Sequence, residues 1–200
     1  MRIFKARFLV VGISITISLA SCGFGGGAQS SSEDVIEFRQ VLSVASAQST
    51  IEAFGQEFKN VDCRNPPTNL ELPIDLIGCS RDETEIYLLG ISELDGNAIE
   101  RSNASVDTFA GNQWYVSIDF DEAGTKKFAE FTARVTSLPV PMNQIAITSG
   151  NLVITAPSIN EAIPSGSAQI TGNYTMQEAS DLSRAIKDRT AIPPFLRWRE

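Results

Sequence analysis

Three cysteines and one group of carboxylates are the residues of this 200-residue chain whose types and spacing point to chemistry. Cys22 ends the run Leu19-Ala20-Ser21-Cys22. Small residues before a cysteine present its thiol for diacylglyceryl transfer, because a thioether must form at that sulfur before cleavage. Arg2, Lys5 and Arg7 precede an uncharged apolar run over residues 8–19. A basic start, a short apolar core and a small-residue cleavage site make a secretory signal peptide. The apolar run is about a dozen residues and a spanning helix needs roughly 20, so a transmembrane anchor is the weaker reading. Lipidation at Cys22 and removal of residues 1–21 are therefore expected. An ordinary signal peptide with a chance cysteine is the alternative.

With Cys22 lipidated, Cys63 and Cys79 remain. An even pair in an oxidising compartment reads as a disulfide, and no C-x-x-C spacing favours a redox-active pair. Asp119, Asp121 and Glu122 are close enough in sequence to hold a cation or move a proton. The same residues suit a helix cap, which is the favoured reading for Asp119 or Asp121. The chain has no histidine, which removes the usual general base, the Ser-His and Cys-His pairs and most zinc sites. No phosphate loop or metal-ligand spacing is present. The expectation is a protein that is not an enzyme and uses no metal or cofactor.

Charge narrows the partners. The formal charge of −8 becomes −11 without residues 1–21. An acidic domain has no basic patch to neutralise phosphates, so nucleic acid is not expected. Anionic headgroups repel it, so the membrane is expected to hold it through the lipid alone. Residues 22–34 are rich in glycine and serine and read as a flexible tether.

Any site must be positioned by the elements that follow. Residues 35–42 include β-branched residues and mostly alternate, as in a strand. Residues 43–60 are ambiguous, and a proline-containing loop runs between the two cysteines. Residues 85–89 form a short apolar strand ending at Gly90. Trp114, Val116, Ile118 and Phe120 alternate with Tyr115, Ser117 and Asp119, which predicts a strand with one face in the core. Gly124, Phe128, Phe131 and Val135 recur at helical spacing, so a helix is expected over 121–135. Ser149-Gly150 joins two strand-like runs as a hairpin turn, and Gly166 is another turn residue. Thr175 and Glu178 make a capping-box pattern before a helix with Ala179, Leu182 and Ile186 on one side. Trp114 is expected to pack in the core, and Lys126 and Lys127 to be solvated. Trp198, between Arg197 and Arg199, suits a headgroup or partner contact as well as a plain chain end. The fold class is α+β: a mostly antiparallel sheet with two helices on one face, a ferredoxin-like two-layer sandwich.

Several stretches share a family pattern, in order. They are Glu37-Phe38-Arg39-Gln40-Val41-Leu42, then Asp62-Cys63, Leu76-Ile77-Gly78-Cys79 and Tyr87-Leu88-Leu89-Gly90. Next come residues 114–121 with Gly124, Phe128 and Thr132, then Ile145-Ala146-Ile147, Gly150 and residues 154–159. Ile163, Gly166, residues 170–175, Glu178-Ala179 and Pro193-Pro194 complete the set. This set resembles the head of the first extracytoplasmic domain of SecD, the accessory subunit of the Sec protein-export channel.

The resemblance implies contact with translocating polypeptide or Sec channel subunits. SecD itself continues into six membrane helices with proton-relay carboxylates. Residues 1–200 hold no counterpart, so binding without proton coupling is expected. The family's Asp-Gly turn is Ser149-Gly150 here. The expected organisation is a signal peptide at 1–21, a tether at 22–34, an N-terminal strand and disulfide-closed loop at 35–84, the head-like domain at 85–195 and a tail at 196–200. The expected location is the outer face of the bacterial cytoplasmic membrane. An envelope lipoprotein that keeps this fold but binds another ligand is the alternative, because fold does not fix function.

Overall fold

The structure, a computed structural model, describes residues 35–108, 111–190 and 192–196. Cys22 and Trp198 lie outside these residues, as do the signal peptide and tether. The strands are β1 (Ile36–Ser46), β2 (Ile51–Ala53), β3 (Gln56–Phe58), β4 (Leu76–Ser80), β5 (Glu85–Asp95), β6 (Ile99–Asp107), β7 (Gln113–Phe120), β8 (Ile145–Ser149), β9 (Leu152–Thr155) and β10 (Ser167–Tyr174). The helices are α1 (Glu122–Val135) and α2 (Met176–Asp188).

The fold is α+β, as expected, but the single sheet of a ferredoxin-like sandwich is not what forms. Five strands close a barrel in the order β1-β5-β4-β9-β8, with β8 returning to β1. Three more make a separate sheet in the order β10-β7-β6, and β2 and β3 form a hairpin. The cause is visible in β1. Its pairing with β5 shifts register three times between Phe38 and Ser43. Such bulges bend and coil a strand, which lets a small sheet close on itself. The barrel draws strands from both sides of residue 85. Small and branched side chains from four of its strands, Val41, Leu89, Ala146 and Val153, make one compact cluster.

The helices also divide. α2 packs on β6, β7 and β10, whereas α1 lies against β7 and β5. One core joins both parts: Phe38 from β1, Phe120 from β7 and Phe128 from α1 meet there with Ile118, Ile147 and Leu182. Asp121 caps α1 by accepting from the Gly124 N–H at 2.7 Å. Thr175 and Glu178 form the reciprocal capping box of α2.

Arg39 is nearly buried, with 8 % exposure. It donates to the Gly90 carbonyl at 2.8 Å, to Asp75 at 2.6 Å and to Glu37 at 2.8 Å. The guanidinium thus ties β1 to β5 and to the segment before β4. A buried charge is tolerated only when paired in this way.

Gly124 shows how closely α1 sits. A Cβ there would lie 2.9 Å from both the Cβ and the carbonyl oxygen of Ala98. Alanine in a helix normally gains about 1 kcal/mol over glycine. Here overpacking against a main-chain oxygen outweighs that gain. Gly124→Ala is expected to destabilise by about 2 kcal/mol, read from the denaturant midpoint. A stabilised variant would refute the close approach.

Candidate binding surfaces

The β7 alternation builds the clearest surface. Val116, Ile118 and Phe120 are buried, and Trp114 packs at the edge of the same core. Tyr115, Ser117 and Asp119 face away. Their cross-strand partners are Ser105 and Thr171, Asn103 and Gln169, and Arg101 and Ser167. The result is a polar sheet face with α2 on the opposite side. A central strand with both neighbours in place has no free hydrogen-bonding edge, but the flanking strands do. Among the described residues no strand pairs with the outer edge of β6 or of β10. β6 is 9 residues long and carries the exposed Val106.

The carboxylate group does not converge. Asp121 points at its helix end. Asp119 accepts from Ser167 Oγ at 3.0 Å and pairs with Arg101 at 3.4 Å. Glu122 is exposed, as are Lys126 and Lys127. Among the described residues no three His, Cys, Asp or Glu side chains gather as a metal site. Gly150 and Gly166 both adopt positive φ, as turn glycines do. Cys63 and Cys79 are bonded, with their Cα atoms 5.8 Å apart.

A polar groove runs between the β4–β5 turn and β9, lined by Arg81, Asp82, Thr84, Tyr87, Ile154 and Thr155. The hydroxyls of Ser80 and Thr84 hold the Asp82 carboxyl below the usual range. Arg81 donates from the groove rim to the main-chain carbonyl of Phe195, which fixes the end of the described chain. Burial pushes the nearby Tyr174 phenol up to about 12, with Arg81 opposing the shift and Glu178 adding to it.

The Tyr174 shift has a definite sign. A phenol whose folded pKa exceeds its unfolded value of about 10 contributes stability below that pH. The contribution is lost as pH rises towards 12. Unfolding free energy is therefore expected to fall between pH 10 and 12, and Tyr174→Phe to flatten that fall in alkaline denaturation curves.

A barrel joined to a three-stranded sheet defines a small α+β domain. No helix among the described residues is long and apolar enough to cross a membrane. Comparison with known proteins makes the class specific. The family model "SecDF, P1 head subdomain" matches residues 75–189, and the chain belongs to this family. The SecD subunit of the protein translocase from Desulfurispirillum indicum is 31% identical over 163 residues, covering 80% of this chain and 29% of that protein. The SecD of Streptomyces coelicolor is 31% identical over 107 residues, covering 54% of this chain and 19% of that protein. The crystal structure of SecDF in a super-membrane-facing form superposes with a TM-score of 0.50 at 26% identity, covering 81% of this chain and 20% of that one. The chain thus spans less than a third of the length of these relatives.

Arg39, Asp75 and the β6 edge are what sequence reasoning missed as organising features. The family pattern contains Arg39 and its near partner Glu37, within Glu37-Phe38-Arg39, but gives no sign of Asp75. Asp75 lies 36 positions away in sequence.

Proposed function

We propose that this protein is a non-catalytic binding or adaptor module of the protein-export machinery, anchored by lipid at Cys22 outside the cytoplasmic membrane. In this reading it meets translocating polypeptide or Sec channel subunits and couples no proton flow. The observation that carries it is the outer edge of β6, with which no strand pairs among the described residues. An extended polypeptide adds to such an edge through main-chain hydrogen bonds, which need no particular sequence. The lipid and a Gly-rich tether of about a dozen residues give a reach of about 20 Å, enough for proximity but not for force.

The test is capture of unfolded secretory polypeptide by the purified protein, scored against an unrelated lipoprotein. Adjacent strand residues point their N–H groups to opposite sides. Of Asn103→Pro and Ala104→Pro, one removes a ladder bond to β7 and the other removes only an outward donor. The variant that keeps its stability is expected to lose capture several-fold. Equal capture by that variant, or no enrichment over the control, sinks the reading.

A further inference from the structure

The β2–β3 hairpin breaks two local rules at once. Its turn places Phe54 at φ 54° and Gly55 at φ 79°. Two positive φ values in a two-residue loop are the type I′ turn, whose first position favours Asn, Asp or Gly. A phenylalanine there is strained. Its ring is 48% exposed and belongs to no core cluster. The second broken rule is the pairing of Glu52 directly opposite Glu57. Like charges in register destabilise a strand pair, and among the described residues only Glu57 is relieved, by Lys59 at 2.7 Å.

A neighbouring segment completes the surface. The Gln56 amide donates to the Glu71 carbonyl at 2.8 Å and accepts from the Glu71 N–H at 3.0 Å. This double bond holds Leu72, which is 75% exposed, beside the hairpin. Two large apolar side chains are thus presented beside the exposed Glu52, Glu57 and Glu71, of which Glu57 is paired with the exposed Lys59, so the surface stays net acidic. The surface lies outside residues 75–189, which the family model matches.

We propose that the hairpin tip and Leu72 form a docking surface for a polypeptide segment carrying lysine or arginine beside large apolar side chains. Charge selects this occupant. The acidic rim repels an anionic lipid surface and equally repels a second copy of itself. A basic segment is drawn in, and Phe54 and Leu72 supply the apolar anchors. The surface is separate from the β6 edge and does not depend on polypeptide adding there.

Phe54→Asn tests this, because asparagine suits the turn. The variant removes strain and the apolar ring without altering charge. Protein purified from the membrane fraction of cells expressing the full chain is titrated with a fluorescent alternating lysine–leucine peptide. A glutamate–leucine peptide serves as control. Phe54→Asn combined with Leu72→Ser is expected to weaken binding of the lysine–leucine peptide about tenfold. Phe54→Asn alone is expected to raise Tm by a few degrees. Unchanged affinity in the double variant overturns the proposal. So does a fall in Tm for Phe54→Asn, which would give the ring a structural role. Phe54-dependent binding to phosphatidylglycerol vesicles, or Phe54-dependent dimerisation, would assign the surface to another occupant and likewise overturn it. The β6 proline variant that keeps its stability is expected to bind the lysine–leucine peptide normally, so failure of the edge reading leaves this test intact.

Discussion

Phe38→Ala is expected to cost about 4 kcal/mol of stability, a large share of what a domain this size possesses. Phe38 is fully buried. Its ring meets Phe120 edge-on at 5.2 Å and Phe128 at 6.1 Å. Those two rings lie 4.8 Å apart. One barrel residue therefore holds β7 and α1 against the barrel. Truncation removes the transfer energy of the ring and leaves a cavity that three different elements would have to close. Each ring pair adds about 1 kcal/mol beyond area burial. Phe38→Leu keeps most of the volume and is expected to lose less than half as much. Guanidinium unfolding followed through Trp114, which packs on the same core, is the measurement. A loss under about 1 kcal/mol would mean that barrel and sheet do not share a core.

The parts of the fold legible in sequence are those whose pattern is set locally. β7 alternates cleanly because one face is core and the other solvent. The α1 cap at Asp121 and the α2 capping box are made by residues three apart, so spacing alone reveals them. The Ser149-Gly150 turn is legible for the same reason.

The barrel was not legible. Closure depends on bulges in β1 that break alternation, so Phe38, Arg39 and Val41 are all buried although adjacent or nearly so. β6 reads as Ile-Glu-Arg-Ser-Asn-Ala-Ser-Val-Asp, with few apolar residues. It is an edge strand, and the buried Ser102 on its inner side meets Ser183 of α2 at 3.4 Å. β4 lies within a proline-rich loop, where composition argues against a strand. Its single run of Leu-Ile-Gly-Cys gains its place only through β5 and, over two residues, β9. The candidate sites follow the same division. The β6 edge and the Arg39 network are products of long-range pairing, whereas the Leu19-Ala20-Ser21-Cys22 run is a local string.

The same separation of local from long-range order applies to the disulfide, and here it can be tested on function. Cys79 sits on β4 in the barrel wall, and Cys63 belongs to the loop after the hairpin. Both are buried with Ile51, Phe58 and Ile74 in a cluster distinct from the main core. The bond spans 16 positions, and closing a loop of this length stabilises by about 3 kcal/mol in the chain-entropy model. Cys63→Ala with Cys79→Ala is expected to lose about that much.

The loss should be uneven. Hydrogen exchange is expected to speed most over residues 51–74, whose small cluster is stapled by the bond, and least in β7 and α1, which rest on the main core. Function should divide in the same way. The lysine–leucine peptide site at Phe54 and Leu72 needs the hairpin and loop held together, so its affinity should fall. Capture of unfolded polypeptide at β6 relies on a sheet the bond does not touch, so it should persist. Equal loss of both activities at a temperature where the variant remains folded would mean that the two surfaces act as one.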